Sequence, residues 1–404
     1  MATFASASVA ADFPVLEREG LVYLDSAATS QKPRQVIDAM AEFAAHHNAS
    51  VHRGVYPLAV EATERYEAGR DKAARLVGAS PRSTVFTGNA TQAINLVAQA
   101  WGRANLQPGD RVVVTEMEHH SVIVPWHMIC RERGAELDVV GVDDDGRLRM
   151  EELDAALARG PKMVAVVHVS NVLGTINPVE EIARRAHAAG ALVLVDGSQA
   201  VPQIAVDVEA IDADFYAWTG HKAYGPTGIG ILHGKRELLE AMPPFIGGGH
   251  MIASVSFEEI RFAEPPAKFE AGTSPIVEGV GLAAAIDWMQ ALGMDAIREH
   301  ERDLVGYALD RLGDVRGLKL HGPLDPDARG AVVSFELDYA HPHDIAEIIG
   351  RSGVCVRAGH HCAQPLMKRL GVGATTRASF AAHNTREDVD RLVDALAEVE
   401  RIFG

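Results

Sequence analysis

Several short segments of this chain carry residues whose types do chemistry only in company. Cys362 sits in Arg357-Ala-Gly-His-His-Cys-Ala-Gln-Pro365, between an apolar strand-like run (Gly353 to Val356) and a helix-like run (Leu366 to Leu370). A thiol beside two imidazoles and an arginine, ahead of a Pro-initiated helix, is expected to ionise more readily than an isolated one. An ordinary thiol with pKa near ~8.5 is only about 3% thiolate at pH 7, so this setting would raise the nucleophile population severalfold. Lys222 ends Thr219-Gly-His-Lys222, and an amine in such a Gly-rich, largely apolar turn can form a Schiff base. Asp196 follows Leu192-Val-Leu-Val195, where a carboxylate can keep a pyridinium nitrogen protonated. Asn89-Ala-Thr91 leads from Val85-Phe86 into a helix, a turn suited to phosphate. His119, in Glu116-Met-Glu-His-His120, can stack on a ring. Together these groups describe a pocket for pyridoxal 5'-phosphate (PLP), an aromatic aldehyde bearing a phosphate.

Groups so scattered converge only if the elements carrying them end at one edge. Val112 to Thr115, Met163 to His168, Leu192 to Val195, Phe215 to Trp218 and Gly228 to Leu232 read as buried strands. Amphipathic stretches such as Val179 to Ala189 and Thr91 to Trp101 lie between them. Alternating strands and helices imply an α/β fold with a mostly parallel sheet, whose ligands bind beyond the strands' carboxyl ends. The last third changes character: helices over Gly279–Leu292 and Met294–Leu312, isolated strands at Ala331–Leu337 and Gly353–Val356, and a terminal helix over Arg386–Phe403. The expectation is a large α/β domain over 24–291 and a small α+β domain, built from 1–23 with 292–404, that carries the cysteine loop.

Composition narrows the function. A chain of 404 residues is long enough for two domains. A net charge of −17 argues against nucleic acid and anionic membranes. No apolar run approaches the roughly 20 residues that span a bilayer. The N-terminal stretch Met1 to Ala11 lacks a basic start, so a signal peptide is not expected. Three widely spaced cysteines suggest no disulfide framework and fit a reducing cytoplasm. Cys130 and Cys355 lie in apolar contexts and read as core. His360-His361-Cys362 matches no usual zinc spacing, so no intrinsic metal site is expected.

The same segments, with Tyr23-Leu-Asp-Ser-Ala-Ala28, Val51-His-Arg-Gly54, His168-Val-Ser-Asn-Val-Leu-Gly174, Phe269-Glu-Ala-Gly-Thr273 and Arg377-Ala-Ser379, resemble the class V branch of fold-type I PLP enzymes. The likeness is greatest to SufS-type cysteine desulfurases, and it runs through almost the whole chain in order. The resemblance implies that Lys222 is the Schiff-base lysine and moves the substrate proton. Asp196 would face the pyridine nitrogen, Gln199 the phenolic oxygen, and His119 the ring. Ala90, Thr91, Thr219 and His221 would hold the phosphate, helped by Thr273 from the second subunit of a homodimer. Asn171 and Arg377, with Arg357 and His52, would bind L-cysteine, and Cys362 would accept its sulfur. Asn89-Ala90 stands where the family commonly has Gly-Thr, and Thr219 where it has Ser. Of the pair His119-His120, only one can face a ring, and His120 reads as a capping or core residue.

The resemblance extends to partners. His341-Pro-His343-Asp344 is similar to desulfurases that serve a zinc-containing SufU-type sulfur acceptor, with His343 meeting the partner's zinc. A helix-capping turn and a SufE-type acceptor stay open. The implied reaction turns L-cysteine into L-alanine with a persulfide on Cys362, feeding iron–sulfur cluster assembly. A selenocysteine lyase or another class V activity is the alternative within the class. A non-enzymatic sulfur or metal carrier built on the His-His-Cys loop is the alternative outside it.

Overall fold

The computed structural model describes residues 6–404. The first five, which open both the apolar N-terminal stretch and the segment 1–23, lie outside the described residues. After a two-residue strand, Val22–Tyr23 (β1), seven strands form the large sheet. They are Thr84–Thr87 (β2), Arg111–Thr115 (β3), Glu136–Val140 (β4), Met163–Val167 (β5), Leu192–Asp196 (β6), Phe215–Thr219 (β7) and Gly230–Gly234 (β8). Their spatial order is β2-β8-β7-β6-β5-β3-β4. Every neighbouring pair from β7 to β4 is parallel. β8 runs antiparallel to both β7 and β2. The strand expected at Gly228–Leu232 is shifted by two residues, and because it runs against its neighbours its carboxyl end points away from the others.

β5, β7 and β8 are buried along their whole length, which is why they read as unbroken apolar runs. The helix Val179–Ala188 buries Val179, Ile182, Ala183 and Ala186 at helical spacing, with Glu180 and Glu181 in its first turn and Arg185 in its last. The helical stretch from Ala90 is interrupted at Val97–Gly102 by a wider turn.

A hairpin of Ile252–Val255 (β9) and Ile260–Phe262 (β10) stands largely in solvent. The last third holds Leu318–His321 (β11), Val332–Leu337 (β12), Val354–Cys355 (β13), Arg357–Gly359 (β14) and Thr375–Ser379 (β15). β11-β12-β15-β14 make a four-stranded sheet, and β13 pairs in parallel with β1. Val22 and Leu24 pack in one cluster with Leu304, Phe335, Ile349 and Leu396. Phe13 packs in the larger cluster under the seven-stranded sheet. The terminal helix Arg386–Phe403 begins at a Thr385–Asp388 capping box and buries Val389, Leu392, Leu396 and Val399. β14 and β15 matter most for function, because they face the carboxyl edge of the large sheet.

Candidate active site

A cavity of about 250 Å³ opens at that edge, larger than the ~150 Å³ that accommodates a benzene ring. Its floor comes from strand ends. Asp196, the last residue of β6, is buried and accepts from the Ser198 N–H at 3.0 Å. Gln199 donates from Nε2 to the Ala27 carbonyl at 2.7 Å, which fixes its amide in the wall. Thr219, His221 and Lys222 follow from the end of β7. The Lys222 ammonium makes no hydrogen bond or ion pair among the described residues. Burial draws its pKa down to about 8, against the pull of Asp196 and with a smaller push from Arg377.

Asn89, Ala90 and Thr91 line one end of the cavity. Asn89 caps the helix start, its Oδ1 accepting from the Gln92 N–H at 2.9 Å. The loop lies so close to β8 that a Cβ on Gly230 would stand 2.2 Å from the Asn89 carbonyl carbon. Glycine there lets the helix start settle against the sheet. His221 lines the same cavity, and burial, then Lys222, lowers its pKa to about 4. Behind it, the Lys32 ammonium donates to the carbonyls of Ser30 and of His221, the latter at 3.1 Å. His119 combines two roles. Its Nδ1 caps the helix His120–Arg133 by accepting from the Ser121 N–H at 3.0 Å, while its ring forms part of the cavity wall. Burial, then the nearby Lys222, lowers its pKa to about 4.

The opposite wall comes from the last third of the chain. Arg377, in β15, is almost fully buried and donates to the Asn171 carbonyl at 2.9 Å and to Asp25 Oδ1 at 3.2 Å. Among the described residues its Nε–H and the Asn171 Oδ1 have no partner, although both are buried. Burial lowers the guanidinium to about 10 while Asp25 opposes the shift. Arg357 takes the other side of the same carboxylate at 3.1 Å and is half exposed. Cys362 lines the cavity and is exposed. Its loop is held on several sides. Asn171 Nδ2 donates to the His361 carbonyl at 2.7 Å, and His361 Nε2 lies 3.0 Å from the Thr375 hydroxyl. The His120 N–H donates to the Cys362 carbonyl at 2.8 Å.

Three expected site residues are not brought to this cavity by their own chain. His52 has a left-handed backbone (φ 70°), stacks on His250 at 4.7 Å and pairs with Glu67 at 2.8 Å. Thr273 lines a separate cleft with Tyr66, Phe86 and Gln92. His343 is exposed near the start of the helix Pro342–Arg351; His341 caps that helix by accepting the His343 N–H at 3.3 Å.

Sequence reasoning missed Asp25, which joins both arginines, although it lies in the quoted Tyr23-Leu-Asp-Ser segment. It also missed Glu118. This carboxyl is fully buried, with Oε1 accepting from the Thr115 hydroxyl at 2.7 Å and the Val167 N–H at 3.0 Å, and with Oε2 unpartnered among the described residues. Burial, despite those two bonds, raises its pKa to about 8; nearby Asp196 adds to the rise.

An aromatic phosphate ester with an aldehyde fits these groups: an unpartnered amine of lowered pKa, a buried carboxylate, a ring-faced wall and a helix-start loop. A mostly parallel α/β sheet with this set at its carboxyl edge defines a fold-type I PLP-dependent enzyme. The chain belongs to the aminotransferase class-V family, whose model matches residues 22–392. It is 49% identical to a cysteine desulfurase of Haloferax volcanii, covering 98% of this chain and 97% of that one. The solved apo structure of a cysteine desulfurase from Thermococcus onnurineus superposes with a TM-score of 0.95 at 38% identity, covering 98% of each chain. The Escherichia coli cysteine desulfurase CsdA, in an S-sulfonic acid form, gives a TM-score of 0.93 at 39% identity over the full length of both.

Proposed function

We propose that the chain is a cysteine desulfurase that moves the sulfur of L-cysteine onto Cys362 and releases L-alanine. The observation that carries the reading is one cavity lined by Lys222, Asp196, Arg377 and Cys362. PLP, when bound, supplies the electron sink that makes the substrate's Cα–H acidic. Asp196 would hold its ring nitrogen, Gln199 its phenolic oxygen and His119 its face. Ala90, Thr91, Thr219 and His221 would hold its phosphate. Arg377, with a buried Nε–H that has no partner among the described residues, and Asn171 beside it would hold the substrate's carboxylate, with Arg357 at the entrance. Lys222 takes the Cα proton and later returns it.

Cys362 Sγ, as thiolate, attacks the substrate sulfur. The Sγ–S bond forms and the substrate Cβ–S bond breaks. Cβ keeps the bonding pair and takes a proton, so carbon is reduced by two electrons as sulfur becomes a persulfide. L-Cysteine and one thiol thus give L-alanine and one persulfide, with atoms balanced.

The same reading extends outward. Val255, Phe257, Ile260 and Phe262 of the β9–β10 hairpin are exposed apolar residues, which suits burial against a second copy in a homodimer. A second copy would also be the source of Thr273 and His52 for this cavity. Residues 24–291 would form the cofactor-binding domain, and 1–23 with 292–404 the small domain bearing the cysteine loop. Three free cysteines suit a reducing cytoplasm, and no described helix is long and apolar enough to cross a membrane. The persulfide would pass to a SufU-type acceptor, or a SufE-type one, for iron–sulfur cluster assembly, with exposed His343 at the docking surface.

The test is Cys362→Ala in the PLP-loaded enzyme. The variant should keep the cofactor's visible absorbance and lose alanine formation from L-cysteine. Full desulfuration by the variant would refute the persulfide route. Protein that never takes up PLP would refute the enzyme reading.

A further inference from the structure

His120 stands beside the histidine of the cavity wall but does not line the cavity itself. Its backbone N–H donates to the Cys362 carbonyl at 2.8 Å, and its Nε2 accepts from the Gln364 N–H at 3.0 Å. Gln364 is the first residue of the helix that follows the cysteine. One residue, more than two hundred positions away in sequence, thus grips the thiol's own peptide and the helix start after it. The grip is needed, because His361 and Cys362 both have left-handed backbones, with φ of 50° and 56°. Non-glycine residues hold that conformation only where their surroundings over-determine it.

The other anchors of the loop, Asn171 and Thr375, hold His361 and not Cys362. The Cys362 thiol makes no hydrogen bond among the described residues, so its place is set by its backbone. Partial burial, with His360 nearby, holds the His120 imidazole below its ordinary pKa, which keeps the Nε2 lone pair free to accept.

We propose that His120 is the positioning residue of the sulfur-accepting thiol: it fixes Cys362 Sγ relative to a bound substrate's sulfur without touching substrate or cofactor. The inference rests on the desulfurase reading. It places the two neighbours His119 and His120 in separate duties, one on the cofactor side and one on the thiol side.

The test compares His120→Ala, His120→Asn and His120→Gln in the PLP-loaded enzyme. Two rates are read: alanine formed from L-cysteine, and exchange of the L-alanine Cα proton in deuterated water, which does not use the thiol. Ala and Asn should lower alanine formation about tenfold to a hundredfold, the scale of a misplaced reacting group. Both should keep visible absorbance and leave Cα exchange within about twofold of the parent. Gln, whose Oε1 can reach the place of Nε2, should recover most of the loss. Unchanged alanine formation in Ala and Asn would overturn the proposal. So would Cα exchange falling in step with alanine formation, or Gln doing no better than Asn. Cys362→Ala, assayed alongside, separates the two levels: full alanine formation there removes the desulfurase mechanism itself, whatever the His120 variants do.

Discussion

Lys222 gives the most quantitative prediction, because its amine must be neutral before it can attack an aldehyde. An ordinary lysine, at 10.5, would be about 0.03% free amine at pH 7. Buried in its cavity and drawn down to about 8, Lys222 is about 9% free amine at the same pH, a gain of roughly 300-fold. The perturbation is pH and the assay is reconstitution of apoenzyme with PLP, followed by visible absorbance. A phosphate ester's second ionisation lies near ~6, so above pH 7 the phosphate charge stays constant while the lysine titrates. The reconstitution rate should rise with pH, bend near 8 and flatten by 9.5. Neighbours fix the signs of two controls. Arg377 disfavours the ammonium, so Arg377→Gln should move the bend to higher pH; Asp196 favours it, so Asp196→Asn should move it lower. A rate that keeps climbing tenfold per unit through pH 9.5 would mean an ordinary lysine and would refute the argument.

The remaining expectations concern groups that the cavity leans on. Asp25→Asn leaves the buried Arg377 without its anion and should cost about 3 kcal/mol of apoenzyme stability by urea denaturation. L-Alanine, through its carboxylate, should then stabilise the PLP-loaded variant more than the parent; less stabilisation would argue against Arg377 as the carboxylate site. Glu118 binds its proton more tightly folded, to about 8, than unfolded, near 4.5. Its neutral form therefore supports the fold below pH 4.5, and that support is lost progressively as pH rises toward 8. Glu118→Gln should accordingly gain on the parent as pH goes from 5 to 8, and a pH-independent difference would show the carboxyl to be ionised throughout. Stimulation of turnover by a zinc-loaded SufU-type acceptor should vanish in His343→Ala while basal alanine formation holds; equal stimulation would place docking elsewhere.

What the sequence made legible was local. β3, β5, β6 and β7 announced themselves because a strand buried on both faces must be apolar throughout, and the polar residue ending each run then marks the carboxyl edge. Asp196 at the end of β6, and His119 and Lys222 just beyond β3 and β7, could be found for that reason. The direction of β8 could not be read, because an apolar run carries no sign of which way it points; direction is set by its neighbours β7 and β2. The less legible part of the site is the part made by distance. Asp25 meets Arg377 across 352 residues, and His120 meets Gln364 across 244. Neither pairing leaves a periodicity or a spacing, since a hydrogen bond between remote segments constrains geometry and not local composition. Glu118 illustrates the same limit. One residue before the ring-facing histidine, it read as an ordinary polar residue of the motif, yet the turn after β3 buries it beside the β5–β6 ladder, where Val167 pairs with Asp196. A carboxyl placed there has no solvent to ionise into. Its environment, made by two strands it does not belong to, turns a residue that reads as charged into a neutral hydrogen-bonding group behind the aspartate of the cavity.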